Sequence, residues 1–417
     1  MEVIRLSKPD RTLQGAIALD GSKSLSNRAL VILALAGADS GQWLSGLAGS
    51  KDTQTLLRLL KNRSNRYDAG DAGTTFRFLT AYLALQPGAH ELTGSARMCE
   101  RPVGALVEAL RSLGARIDYL GHPGYPPLRI GPPGFSKKMQ TVRIDASVSS
   151  QFLSALLLIG PYLPGGLELI PEGRLVSRPY LEMTMQLMRF FGADAQWQGD
   201  RIRVAPGHYT PRPLRIEADW SAASYWYAMV AFAETVDLKL EGLFADSWQG
   251  DRVIRELMND VGVASQIFGP TSILSPNGDG SRTKRTVDFR NCPDIAQTMA
   301  VVYAGLGIPA VFTGLETLAI KETDRTSALG IELARIGVHF GPEMPGSDRY
   351  ILQGKARWDA PPRFATYGDH RMAMAFATLA MLGPVEIENP AVVAKSYPAF
   401  WGHLAQVGFS IEKFTAP

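Results

Sequence analysis

Cysteine is nearly absent from this chain: only Cys99 and Cys292 occur in 417 residues. That excludes a disulfide framework and a cysteine-built zinc site, and makes reduced thiols the default. The six histidines show no HExxH spacing, so a zincin-type centre is excluded too, and no metal is expected. Long apolar runs are also lacking. The longest useful one, residues 299–312, is broken by Gly305, Gly307 and Pro309 well short of a bilayer span. The N-terminus, MEVIRLSKPD, meets charge before any apolar stretch of the kind a secretory signal needs. No membrane association and a cytoplasmic location are expected. Charge of one sign is scarce as well: 43 Lys and Arg against 40 Asp and Glu leave a net +3, too little for a long nucleic-acid track. Any anion-binding role has to come from local clustering.

What is present is ordinary globular material, 46% hydrophobic and 20% charged, in a length that suits two or three domains. The chain also repeats itself. Small, polar helix openings recur in GSKSLSNRAL from Gly21, DAGTTFRFL from Asp71, DASVSSQFL from Asp145, DWSAASYWY from Asp219, CPDIAQTMA from Cys292 and DHRMAMAFA from Asp369. Four of the intervals are 73–77 residues and the first is only 50. Each unit then carries a second helix, and in five of them it ends on a glycine suited to a left-handed cap, at Gly114, Gly192, Gly262, Gly337 and Gly408. Strand-like segments follow. The unit reads β-α-β-α-β-β six times, with the terminal hairpin missing from the shortened first copy.

Helix openings such as FLSALLLIG are apolar nearly all round and belong inside a domain. Two domains of three repeats each accommodate six of them: residues 20–217 form one, and residues 1–19 with 218–417 form the other. The polar helix starts are then expected to face an interdomain cleft.

Those starts concentrate cations: Lys23, Arg28, Arg77, Arg101, Lys321, Arg325, Arg371 and Lys395. Positive charge at a helix start opposes the macrodipole, whose positive end prefers anions, and free backbone N–H groups there suit phosphate or carboxylate. Bound anions are therefore expected, although each cation alone is equally compatible with solvated surface charge. GSKS at 21–24 is not a P-loop, because Ile17 and Ser22 stand where that motif needs glycine. Ser147, Ser149 and Ser150 read equally as caps or ligand contacts. Asp294 either starts a helix or accepts a proton from a substrate hydroxyl, and Glu322 and Asp324 carry the same double reading.

Taken together and in order, LDGSKSLSNRAL, DAGTTFR, RMCERP, SVSSQF, SRPY, PDIAQT, KETDR, GDHRMAM and AKSYP resemble the 5-enolpyruvylshikimate-3-phosphate synthase family over nearly the whole chain. The resemblance implies an α/β fold, a two-domain inverted α/β barrel of six repeats, in an enzyme of the shikimate pathway that is a target of glyphosate. Its reaction moves the enolpyruvyl group of phosphoenolpyruvate to the 5-hydroxyl of shikimate 3-phosphate and releases phosphate, without a cofactor. By the same resemblance Lys23, Ser24, Arg28, Ser149, Ser150, Gln151, Ser177, Asp294 and Lys321 meet shikimate 3-phosphate. Lys23, Gly73, Arg101, Gln151, Arg325, Arg371 and Lys395 meet phosphoenolpyruvate. Asp294, Glu322 and Lys23 are the implied catalytic residues, and the implied state is a monomer with only small-molecule partners.

Four features depart from the family pattern: Asp71 and Thr317 replace asparagine, Phe78 replaces proline, and the first repeat is abbreviated. The alternatives are a UDP-N-acetylglucosamine enolpyruvyl transferase, which shares fold and chemistry, and a non-catalytic anion binder. The first usually has a reactive cysteine five residues before its loop arginine, whereas Cys99 is two before Arg101. The second calls for interleaved exposed aromatics and a stronger positive charge.

Overall fold

The structure is a computed structural model that describes residues 1–147, 149–278, 280 and 283–415. The chain divides into two compact units, one made of Met1–Gly21 with Glu217–Pro417 and the other of Ser22–Ile216. One strand-helix-strand-helix-hairpin unit is repeated through both. The paired helices are α1 (Lys23–Leu35) with α2 (Lys51–Leu60), α3 (Gly73–Ala84) with α4 (Gly104–Ser112), and α5 (Ser150–Ile159) with α6 (Arg178–Phe190) in the continuous unit. In the discontinuous unit they are α7 (Trp220–Phe232) with α8 (Ile254–Asn259), α9 (Ala296–Leu306) with α10 (Arg325–Ala334), and α11 (His370–Ala377) with α12 (Phe400–Gln406).

The second copy shows the sheet rule. Arg66–Asp68 runs parallel to His90–Thr93, which pairs antiparallel with Leu128–Ile130, and that strand pairs antiparallel with Ile117–Tyr119. The other four-stranded sheets repeat this order of one parallel and two antiparallel pairings. Two are completed from a distance. Glu2–Ser7 pairs with both Val385–Glu388 and Ser410–Thr415 to finish the sixth copy, and Thr12–Ala18 lies parallel to Thr235–Glu241 as the opening strand of the fourth. The first copy holds only Leu44–Ser45 against Leu214–Arg215, and α2 leads straight to Arg66 with no hairpin.

Burial follows the hydrophobic pattern. In α7 only Ser221 and Ala231 are not buried, as expected of a helix apolar on every side. Helix α9 packs on α7 and α11, while α1, α3 and α5 pack on one another. The glycines after α4, α6, α8, α10 and α12 all have φ between 76° and 107°, the left-handed geometry that ends a helix by satisfying its last carbonyls.

The buried first helices carry polar caps at their N-termini. Ser22 caps α1 by accepting from the Leu25 N–H, Asp219 caps α7, and Asp369 caps α11. Two starts fall later than the sequence pattern predicts. Asp145 ends a strand and folds onto Ser147 N and Oγ at 2.8 and 2.6 Å, so α5 begins only after the cap Ser149. Pro293–Ile295 forms a 3-10 turn before α9.

Candidate active site

Within Ser22–Ile216, Lys23 opens α1, where its charge opposes the helix dipole. Asp52 in the first turn of α2 offsets it, with Nζ–Oδ2 3.3 Å. One turn further on, Arg28 is 2% exposed and meets no carboxylate among the described residues. Its Nε donates to Thr184 Oγ1 at 2.7 Å, Nη1 to the Ser24 carbonyl at 3.0 Å and Nη2 to Ser154 Oγ at 3.0 Å. Burial pulls its pKa down to about 10. Ser149 caps α5 through the Gln151 N–H at 3.3 Å, and the buried Ser150 is the first residue of that helix. Ser177, also buried, sits before α6 at φ 57°. A non-glycine residue held in that region costs of order 1–3 kcal/mol.

A second group of cations surrounds the start of α3. Arg77 Nη1 donates to Gln151 Oε1 at 2.9 Å, and its Cζ lies 5.3 Å from the Phe152 ring centroid. Arg101 is 7% exposed, and its guanidinium has no ion pair or side-chain hydrogen bond among the described residues. Both guanidinium groups converge on Gly73: a Cβ there would lie 2.6 Å from Arg101 Nη1 and 2.7 Å from Arg77 Nη1. A buried cation without a counter-charge is expensive, so the geometry calls for an anion at Arg101. Asp71, just before this helix, accepts the Ser95 hydroxyl.

In the discontinuous unit the sequence-predicted residues form one connected cluster. Asp294 Oδ1 lies 3.2 Å from Arg325 Nη1 and 3.9 Å from Lys321 Nζ, and Oδ2 lies 2.8 Å from Arg371 Nη2. Arg371 Nη1 also donates to the Asp294 carbonyl at 2.9 Å. Glu322 joins Arg325 Nη2 at 2.9 Å to Lys395 Nζ at 3.3 Å. Asp369 anchors Arg325 Nε at 2.7 Å while capping Arg371 N at 2.8 Å. Burial opposes the Arg325 charge, but Asp369, Glu322 and Asp294 outweigh it and raise its pKa. Burial lowers the Lys321 pKa, and Asp294 only partly opposes this. Asp251, buried and bonded to the Ser221 hydroxyl, is pushed up to about 7 by burial and by the charge of Asp294.

Four cations around two solvent-reaching carboxylates and one buried carboxylate can hold an oxyanion and still offer Asp294 to a hydroxyl proton. Among the described residues no cluster of His, Cys, Asp and Glu is arranged for a metal ion, and no helix is long and apolar enough to cross a membrane. The supporting residues Asp52, Thr184, Ser154 and Asp369 were not singled out from sequence. The first three carry no local signal, because their partners are 29, 156 and 126 residues away. Asp369 had one, its place beside Arg371 in GDHRMAM.

The family model described as EPSP synthase (3-phosphoshikimate 1-carboxyvinyltransferase) matches residues 62–404. The chain belongs to the EPSP synthase family. Among curated relatives, a 3-phosphoshikimate 1-carboxyvinyltransferase of Bacteroides fragilis is 43% identical over 420 residues, 98% of each chain. One of Bordetella petrii is 37% identical over 94% of each. The fold agrees with a solved EPSP synthase from Acinetobacter baumannii, at TM-score 0.76, 23% identity and full coverage of both chains. It also agrees with the enolpyruvyl transferase NikO from Streptomyces tendae, at TM-score 0.75 and 15% identity over 100% of this chain and 99% of that one. The α/β fold with its repeated units is consistent with the two-domain inverted α/β barrel of EPSP synthases.

Proposed function

We infer that the chain transfers the enolpyruvyl group of phosphoenolpyruvate to the 5-hydroxyl of shikimate 3-phosphate, as a 3-phosphoshikimate 1-carboxyvinyltransferase. The observation that carries the site assignment is Asp294, a carboxylate steadied on both oxygens by Arg325 and Arg371 at a helix start. A base so held accepts the hydroxyl proton in a fixed direction.

In this reading Lys23, Ser24, Arg28, Ser149, Ser150, Gln151, Ser177 and Lys321 bind shikimate 3-phosphate. Arg101, Gly73, Gln151, Arg325, Arg371, Lys395 and Lys23 bind phosphoenolpyruvate. A proton reaches the methylene carbon of phosphoenolpyruvate, and the substituted carbon becomes electrophilic. The 5-hydroxyl oxygen bonds to that carbon as Asp294 takes its proton, which gives a tetrahedral intermediate. Cleavage of the carbon–phosphate oxygen bond and loss of a methyl proton then restore the double bond and release phosphate. In the same reading Glu322 and Lys23 carry the methyl proton. The fixed cations stabilise the departing charge without reorganising.

The two free thiols and the absence of a membrane-spanning helix among the described residues support a cytoplasmic enzyme, and we assign it as a monomer. Proton and phosphorus NMR of a reaction mixture tests the chemistry. Phosphoenolpyruvate signal should fall as inorganic phosphate and a new pair of vinyl ether protons rise in equal amounts. Phosphate without the vinyl ether would mean hydrolysis and overturn the transfer.

A further inference from the structure

Phe78 lies on α3, one turn after Gly73, at a position where the family commonly has proline. Its ring is 1% exposed, and the Arg28 Cζ is 5.3 Å from its centroid. Tyr180 approaches the same guanidinium at 6.0 Å. Arg28 is thus a buried cation whose neighbours are two rings, two hydroxyls and a carbonyl. Thr184, Ser154 and Ser24 take three of its N–H groups of the five that a guanidinium has. One N–H on each terminal nitrogen is left for a ligand. A ring face attracts a desolvated cation, and the Phe78 ring lies beneath this one.

We infer that Phe78 is a positioning residue for shikimate 3-phosphate, its ring holding the Arg28 guanidinium at the tilt that presents the two remaining N–H groups to an anionic group of that substrate. The inference rests on the assignment of Arg28 to shikimate 3-phosphate made above. Hydroxyl partners rotate with the guanidinium and restrain its tilt little, whereas a flat ring packed beneath it does. An aliphatic replacement fills the space without the π face, so the cation must be ordered when substrate binds, and affinity falls.

The test compares Phe78→Leu and Phe78→Met with Phe76→Leu. Phe76 is a fully buried residue of the same helix whose ring faces no cation among the described residues. Both Phe78 variants should raise KM for shikimate 3-phosphate about five- to tenfold, while kcat and KM for phosphoenolpyruvate stay within about twofold. Phe76→Leu should move neither KM, even if it lowers Tm as much. The Met variant preserves volume should the Leu variant fold poorly. Unchanged KM in the Phe78 variants, or a parallel rise for both substrates, overturns the role of Phe78. Arg28→Gln separates the two layers: if it leaves shikimate 3-phosphate binding intact, the underlying assignment falls. If it abolishes binding while Phe78→Met binds like the parent, only the positioning role falls.

Discussion

At Asp294 and Gly73 the proposed function turns on single atoms. Asp294→Asn keeps the shape of the side chain and one acceptor for Arg325 or Arg371, but removes the ability to take a proton. Turnover is expected to fall by about two to four orders of magnitude, the range for losing a general base, while calorimetry still detects shikimate 3-phosphate binding. Near-normal turnover would leave Asp294 a helix-start residue. Gly73→Ala puts a methyl group where Arg101 Nη1 and Arg77 Nη1 come within 2.6 and 2.7 Å of the Cβ position. Both are side-chain ends and can retreat, so the protein should fold, with the anion-facing geometry displaced. KM for phosphoenolpyruvate should rise by about tenfold or more, since charge-assisted hydrogen bonds are strong only in good geometry, and KM for shikimate 3-phosphate should change little. An unaltered phosphoenolpyruvate KM would place that substrate away from Arg101. The cations themselves were legible as a motif set. Their partners were not, because Arg28 with Thr184 and Lys23 with Asp52 are tertiary pairs that no local pattern announces.

Helix boundaries show which local rules survive folding. The five glycine stops were legible because a left-handed residue after a helix is a backbone requirement that few residues meet. The start predicted at Asp145 was early because that carboxylate bonds to Ser147 rather than to a helix N–H. Asp324 is a cap that does act as one, accepting from Thr326 N and Ser327 N at 3.1 Å each at the start of α10, which carries Arg325. Burial alone would raise its pKa, but hydrogen bonds from Thr326 and Ser327 outweigh this and hold it below the ordinary 3.8. A carboxyl lowered in the folded state contributes stability that is complete above the unfolded value and is lost as pH falls through the folded one. Asp324→Ala should therefore cost about 1 kcal/mol at neutral pH, and the difference should shrink as pH drops below about 3.8. Denaturant titrations of both proteins across that range measure it. A difference that persists undiminished in acid would show that the aspartate matters for packing and not for its charge.

Over the whole molecule, the six-fold repeat was legible because helix openings and glycine stops mark its period, and the short first interval marks the missing hairpin. Strand pairing was not: Glu2–Ser7 completes a sheet with Val385–Glu388, a contact across almost the full chain. Hydrophobic alternation says that a strand has a buried face but not which partner it meets. The family supplies the reaction, and the acceptor is what distinguishes this chain from enolpyruvyl transferases of similar fold that act on nucleotide sugars. The most direct test is the rate of phosphate release from phosphoenolpyruvate with shikimate 3-phosphate or with UDP-N-acetylglucosamine as acceptor, on one preparation. Sustained release is expected with shikimate 3-phosphate alone; turnover with the UDP sugar and none with shikimate 3-phosphate would contradict the account.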